Sequence, residues 1–314
     1  MTRREAVYHA LAHEDTDCLP YQLQFTGETG EKLKEHFGAD NVHEALGNFL
    51  RPVRPPWWGF TDVPEDFQAD AVPEELPPVF GRGSFDAFAE TLETIRAETD
   101  AYILVPIYAF NFEKAWMLRG MENFMLDMIR APQFVENLLG KIMEINMSML
   151  QMLTSYEQID GFLLGSDWGG QRGLLISPPQ WRRFIKHTEA ACYDIVRGAG
   201  KHLWVHSCGK IEAIIPDLIE CGLQGLNPVQ SEVMDITELK ENFGADLTFW
   251  GGVSTQKVLP YGTPEEVRAD VERTIDILAP GGGYVLGPSQ SMQEDVPLEN
   301  ILAFWEVAKA HAPL

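Results

Sequence analysis

Residues 202–229 read HLWVHSCGKIEAIIPDLIECGLQGLNPV. HLWVHSC is a near-continuous apolar run ending in polar groups, as expected of a strand covered on both faces in a parallel sheet. A helix follows from about Glu212 to Cys221, and LQGLNPV then returns as a second strand. The same alternation extends outward in both directions. AYILVPIY (101–108), DGFLLGSD (160–167), LTFWGGV (247–253) and GGYVLGP (282–288) are further strand candidates, separated mainly by amphipathic helical segments.

Toward the start of the chain, Ala6, Val7, Ala10 and Leu11 share one helical face within residues 3–13, and Leu19 to Phe25 reads as a strand. A second helix spans about Gly30 to His36. Residues 51–90, with RPVRPPWWGF and VPEELPPVF, are too rich in proline for a helix or a central strand and predict an excursion over a rim. With the Leu19 strand and one irregular strand in this proline-rich segment, the count reaches about eight. That predicts a single α/β domain over 1–314, a (β/α)8 barrel of the TIM type. An open doubly wound sheet would need a GxGxxG turn after an early strand, and none is present.

The chain carries 47 acidic and 24 basic residues, a formal charge of -23. Such a field repels phosphate backbones and anionic bilayers, so neither nucleic acid nor membrane is expected as a partner. The stretch MTRREAVYHALAHEDTD has no apolar signal core, and no run is long enough to span a bilayer. Cysteines at 18, 192, 208 and 221 lack disulfide-scaffold spacing, which points to a reducing, cytoplasmic setting.

In a barrel of this kind the active site forms where the strands end. Here those ends carry Gly165-Ser166-Asp167-Trp168, His206-Ser207-Cys208-Gly209, Asn227-Pro228-Val229-Gln230 and Gly287-Pro288-Ser289-Gln290. The period of two sends His206 and Cys208 to one face, where an imidazole and a thiolate suit zinc. The competing reading makes them a hydrogen-bonded core histidine and a small filler. Asp167 is a candidate metal ligand, acid–base group or substrate anchor, against a plain turn-capping role. Gln171, Asn227, Gln230, Ser289, Gln290 and Gln293 are candidates for orienting a polar substrate, or simply close loops. Cys18, Cys192 and Cys221 are expected to pack, as are Trp57, Trp58, Trp116 and Met117.

The segments HSCGKI, GLNPVQ, LTFWGGVSTQKVLPYGTPEEV and GGGYVLGPSQSMQEDVPLENI resemble the uroporphyrinogen decarboxylase superfamily, as do MTRREAVYHALAHEDTDCLP and WMLRGMENFMLDMIRAPQFVENLL. The resemblance implies a (β/α)8 barrel with a cleft at its carboxyl face. Porphyrinogen decarboxylases carry an arginine-rich RQAGRY-type clamp. The corresponding YQLQFTGETGEKL has no arginine, which disfavours a polyanionic porphyrinogen. The other branch, the cobamide-dependent methyltransferases, holds zinc with an HxC pair and a later cysteine. His206 and Cys208 match that pair, whereas Ser289-Gln290-Ser291 stands where the later cysteine would fall.

The resemblance therefore implies a corrinoid-dependent methyltransferase. Zinc would be held by His206 and Cys208, with Asp167 or Glu232 as third ligand, and a methylcorrinoid on a separate corrinoid protein would donate to a small thiol-type acceptor. No DxHxxG cobalamin segment is present in the chain. Two alternatives remain. One is a metal-free decarboxylase using Asp167 and His206 as acid and base. The other is a non-catalytic barrel that keeps only the pocket.

Overall fold

The computed structural model describes residues 1–60, residue 76 and residues 79–313. Seven parallel strands alternate with helices: β1 (Leu50–Pro52), β2 (Tyr102–Ile107), β3 (Gly161–Gly165), β4 (His202–His206), β5 (Gly225–Val229), β6 (Thr248–Val253) and β7 (Tyr284–Pro288). Every residue of β2, β3, β5, β6 and β7 is buried, which is why these runs are mostly apolar and do not alternate, Asn227 and Thr248 being the polar exceptions. The fold class is α/β, of the TIM-barrel type expected from the sequence.

Internal contacts gather the chain into two units. One comprises Pro52–Glu98 and Leu104–Leu223. Here β2, β3 and β4 pair in chain order, with Ile107 opposite Leu164 and Gly165 opposite His206. The helix Pro132–Leu153 starts with proline in its first turn, where a missing N–H costs nothing. Pro178–Phe184 is closed by a capping box in which Ser177 and Gln180 satisfy each other's backbone. Instead of one helix from Glu212 to Cys221 there is a 3-10 turn, Glu212–Ile214, followed by the α-helix Ile215–Glu220 with Pro216 in its first turn. Within residues 51–90, Trp57–Phe60 pairs antiparallel with Val79–Arg82, and the helix Phe85–Glu98 follows. The remainder of that predicted excursion, including most of VPEELPPVF, lies outside the described residues.

The other unit comprises Met1–Arg51, Thr99–Ile103 and Gln224–Leu314. It pairs β5, β6 and β7, with Gly252 opposite Gly287. The N-terminal helix, Arg3–Leu11, opens on a capping box between Thr2 and Glu5. Leu19 to Phe25 departs from the expected strand: it makes only two isolated bridges, Tyr21 to Leu286 and Phe25 to Met292. On its other side the Phe49 N–H donates to the Tyr21 carbonyl, and buried amide side chains supply the further bonds. Gln22 accepts from the Leu50 N–H, while Asn48 accepts from the Leu23 N–H and donates to the Leu23 carbonyl at 2.9 and 3.1 Å. Among the described residues no helix is long and apolar enough to cross a membrane.

Asn48 is 1% exposed, so removing its amide strands two backbone groups away from water. Asn48→Ala is expected to lose about 1–3 kcal/mol in urea unfolding. A loss below about 0.5 kcal/mol would mean that the chain re-pairs without it.

Candidate functional site

The β3–β4 register builds the site. Because Gly165 lies opposite His206, the residues two further on, Asp167 and Cys208, emerge side by side. The result is one cluster in which donor atoms of Asp167, His206 and Cys208 all lie within 4.8 Å of one another. Cys208 Sγ is 3.5 Å from His206 Nε2, which is 3.8 Å from Asp167 Oδ1. The His206 side chain is 11% exposed and that of Asp167 44%, so the cluster is walled on the imidazole side and open at the carboxylate.

The loops carrying these groups are stitched together. The Cys208 N–H donates to Asp167 Oδ1 at 2.8 Å, and the Trp168 N–H donates to Ser207 Oγ at 3.0 Å. The Lys210 N–H donates to the Gly170 carbonyl at 2.9 Å. Gly169 and Gly209 permit this approach. A Cβ at Gly169 would fall 2.6 Å from the Cys208 carbonyl oxygen, and one at Gly209, where φ is +84°, would fall 2.5 Å from the Gly169 carbonyl carbon. No side chain fits at either position. Trp168, buried and packed edge-on against Trp181, anchors the turn that follows Asp167.

Two further residues join the site from the β2 end. The Tyr108 ring stands edge-on to the His206 ring, with centroids 5.2 Å apart. Partial burial raises the Tyr108 pKa; the Arg54 charge opposes this, and Cys208 and Asp167 add to it. Glu113 lies on the helix Asn111–Arg119, where the backbone N–H groups of Ala109 and Asp167 favour its charged form. Burial, reinforced by the Asp167 charge, pushes its carboxyl up to about 7.

Behind Glu113 runs a buried polar relay. Trp58 Nε1 donates to Asn146, whose amide donates to Asn111 at 2.8 Å, and Asn111 donates to Glu189 at 3.2 Å. Burial drives the Glu189 carboxyl up to about 8. Tyr108 was within reach of the strand-end rule, since it closes the run AYILVPIY. Glu113 and Glu189 sit in ordinary amphipathic helices and carry no such signal.

The other predicted residues divide by unit. Gln171 is exposed at the tip of the Gly169–Gly170 and Gly173–Leu174 hairpin. In the second unit Asn227 and Gln230 are buried at the end of β5, Gln290 accepts from the Ser291 N–H, and Gln293 is exposed. The Ser289 hydroxyl donates to Glu232 at 3.0 Å and accepts from the Thr255 N–H at 3.1 Å. The same Glu232 oxygen also accepts from Ser254 and from the Gln256 N–H, so both groups are committed to a local network. Cys18, Cys192 and Cys221 are buried, with thiol pKa values raised by desolvation, that of Cys221 to about 11.

The profile of the uroporphyrinogen decarboxylase (URO-D) family matches residues 63–311. The methylcobamide:CoM methyltransferase MtaA of Methanosarcina barkeri is 31% identical over 133 residues, 41% of this chain and 36% of that protein. The same enzyme from strain Fusaro is 29% identical over a stretch of the same length. The chain thus matches about a third of the length of these relatives. Among solved structures, a methyltransferase from Methanosarcina mazei superposes with a TM-score of 0.72 at 20% identity, covering 99% of both chains. Xylanase B from Clostridium stercorarium F9 reaches 0.50 at 10% identity, covering 97% of this chain and 99% of its own. At those identities the structural likeness speaks to fold alone.

A carboxyl held protonated by burial favours the folded state at low pH. The contribution is complete below its unfolded value of 4.5 and is lost as pH rises toward the folded value of about 8. Chemical-denaturation stability is therefore expected to fall between pH 5 and 8, and Glu189→Gln should flatten that decline. An equally steep decline in the variant would show that Glu189 is not its source.

Proposed function

The chain belongs to the uroporphyrinogen decarboxylase family, and from that premise we propose that it is a zinc-assisted methyltransferase. In this reading it moves a methyl group from a methylated corrinoid, carried on a separate protein, to a small thiol-type acceptor. The observation that carries the reading is the convergence of Asp167, His206 and Cys208 on one point. Its relatives are named for transfer from methylcobamide to CoM, which supports this chemistry over decarboxylation.

The donor set fits zinc. A tetrahedral ion with ordinary Zn–S and Zn–N bonds separates sulfur from nitrogen by about 3.5 Å. Cys208 and His206 are 3.5 Å apart, and Asp167 Oδ1 is wider by a few tenths of an ångström than a shared ion would hold it. Three protein ligands leave a fourth position for a reactant, as catalytic zinc requires. Asp167 is the better third ligand, because its carboxylate clusters with the His206 and Cys208 donor atoms. Zinc, when bound, supplies Lewis acidity that lowers the pKa of an incoming thiol near neutrality.

The chain's own residues do the rest. Cys208 and His206 hold the ion, and Tyr108 fixes the imidazole ring by edge-on packing. The Cys208 N–H donating to Asp167 Oδ1 aims the carboxylate at the same point as the thiol. Gln171, on the hairpin that follows Asp167, is assigned to the mouth. Four cysteines outside any disulfide, one of them a ligand in this reading, suit the reducing cytoplasm.

Protein purified without chelator is expected to hold about one zinc per chain, lost in Cys208→Ala and His206→Ala. Asp167→Asn is expected to weaken zinc affinity about 10- to 100-fold. Thiol-dependent consumption of methylcobalamin should fall in parallel. Equal zinc in wild type and Cys208→Ala, or turnover undiminished without metal, would sink the proposal, and the second result would favour the metal-free lyase.

A further inference from the structure

A cavity of about 480 Å³ lies between the Trp57–Phe60 strand and the carboxyl end of β2. That is an ordinary size for a small-molecule site. Trp57, Trp58, Phe60 and Tyr108 give it flat aromatic walls, and among the described residues the two charged ones that line it are both cations, Arg54 and Lys114. Among the described residues none that lines it is acidic, in a chain whose formal charge is -23. Aromatic walls alone would suit a cationic guest. Two like charges in the wall exclude one and select an anion.

The two cations differ in availability. Lys114 Nζ lies 4.3 Å from the Trp58 ring centroid and donates to the Trp58 carbonyl at 3.0 Å, so it is fixed in the wall as a buried charge. Arg54 is exposed and has no ion-pair partner among the described residues, and its planar guanidinium matches a carboxylate fork. The Trp57 indole N–H is buried and has no hydrogen-bond acceptor among the described residues. Tyr108 is shared: one side chain lines the cavity and also stands against His206.

We propose that this cavity binds a planar aromatic carboxylate, its ring between the aromatic walls and its carboxylate on Arg54. A thiol-bearing member of that class would be the small-molecule acceptor, an assignment that rests on the methyl-transfer reading and on Tyr108, which both lines the cavity and packs against the His206 ring. The binding itself does not require zinc.

The test is calorimetric titration of benzoate, cyclohexanecarboxylate and benzamide into wild type, Arg54→Gln, Arg54→Lys and the His206→Ala/Cys208→Ala double variant. Benzoate is expected to bind at least about 10-fold more tightly than the saturated acid or the neutral amide. Arg54→Gln should cost benzoate about 10-fold and leave benzamide unchanged, with partial recovery in Arg54→Lys. The double variant should bind benzoate as wild type does. No benzoate binding, equal affinity for the saturated acid, or indifference to Arg54→Gln would overturn the proposal. Metal content separates the two claims: zinc without benzoate binding sinks this one alone, and benzoate binding without zinc sinks the metal reading alone.

Discussion

The pairing of Gly165 with His206 is the constraint on which the site depends. A parallel ladder with a period of two leaves little choice once that pair is made. The residue two beyond each partner leaves its strand at the same height, one delivering a carboxylate and the other a thiol, while His206 itself closes the triangle. A slip of one residue would turn His206 and Cys208 to the opposite face together. The register is held by strands that are apolar on both sides, so the chemistry is positioned by hydrophobic burial remote from it.

The loops beyond the strands convert that register into a usable geometry. Two chain segments touch backbone to backbone at Gly169 and Gly209, and the Cys208 N–H on Asp167 locks the carboxylate to the neighbouring loop. Around this point the protein accumulates groups that burial holds away from their ordinary ionisation. The Glu113 and Glu189 carboxyls are both raised in pKa, and Glu189 is joined to the aromatic wall through Asn111, Asn146 and Trp58. Neutral carboxyls cost less to bury than charged ones and still accept hydrogen bonds, as Glu189 does from Asn111.

Much of this was legible in the residues. The apolar runs with polar ends gave the strands, and the spacing of His206 and Cys208 put both on one face without reference to any other part of the chain. Asp167 was legible for the same reason. Leu19 to Phe25 misled because its apolar pattern is that of a strand, while bonds that a full ladder would make belong to the side chains of Gln22 and of Asn48, which lies 25 residues downstream of Leu23. Glu113 and Glu189 were invisible because an acid on an amphipathic helix looks solvated until the packing is known. Ser289 sits at a strand end as expected, yet its hydroxyl belongs to a network with Glu232 and Thr255 that no spacing announces. Trp57 and Trp58 were expected to pack. Trp58 does, at 3% exposure, while Trp57 is half-buried at the wall of a cavity.

The central claim is that one sulfur, one imidazole nitrogen and one carboxylate oxygen share a single ion. X-ray absorption at the zinc edge of the purified protein tests it most directly. The account predicts one sulfur scatterer near about 2.3 Å and the remaining ligands, nitrogen or oxygen, near about 2.0–2.2 Å. A shell of two or more sulfurs, or of none, would contradict it.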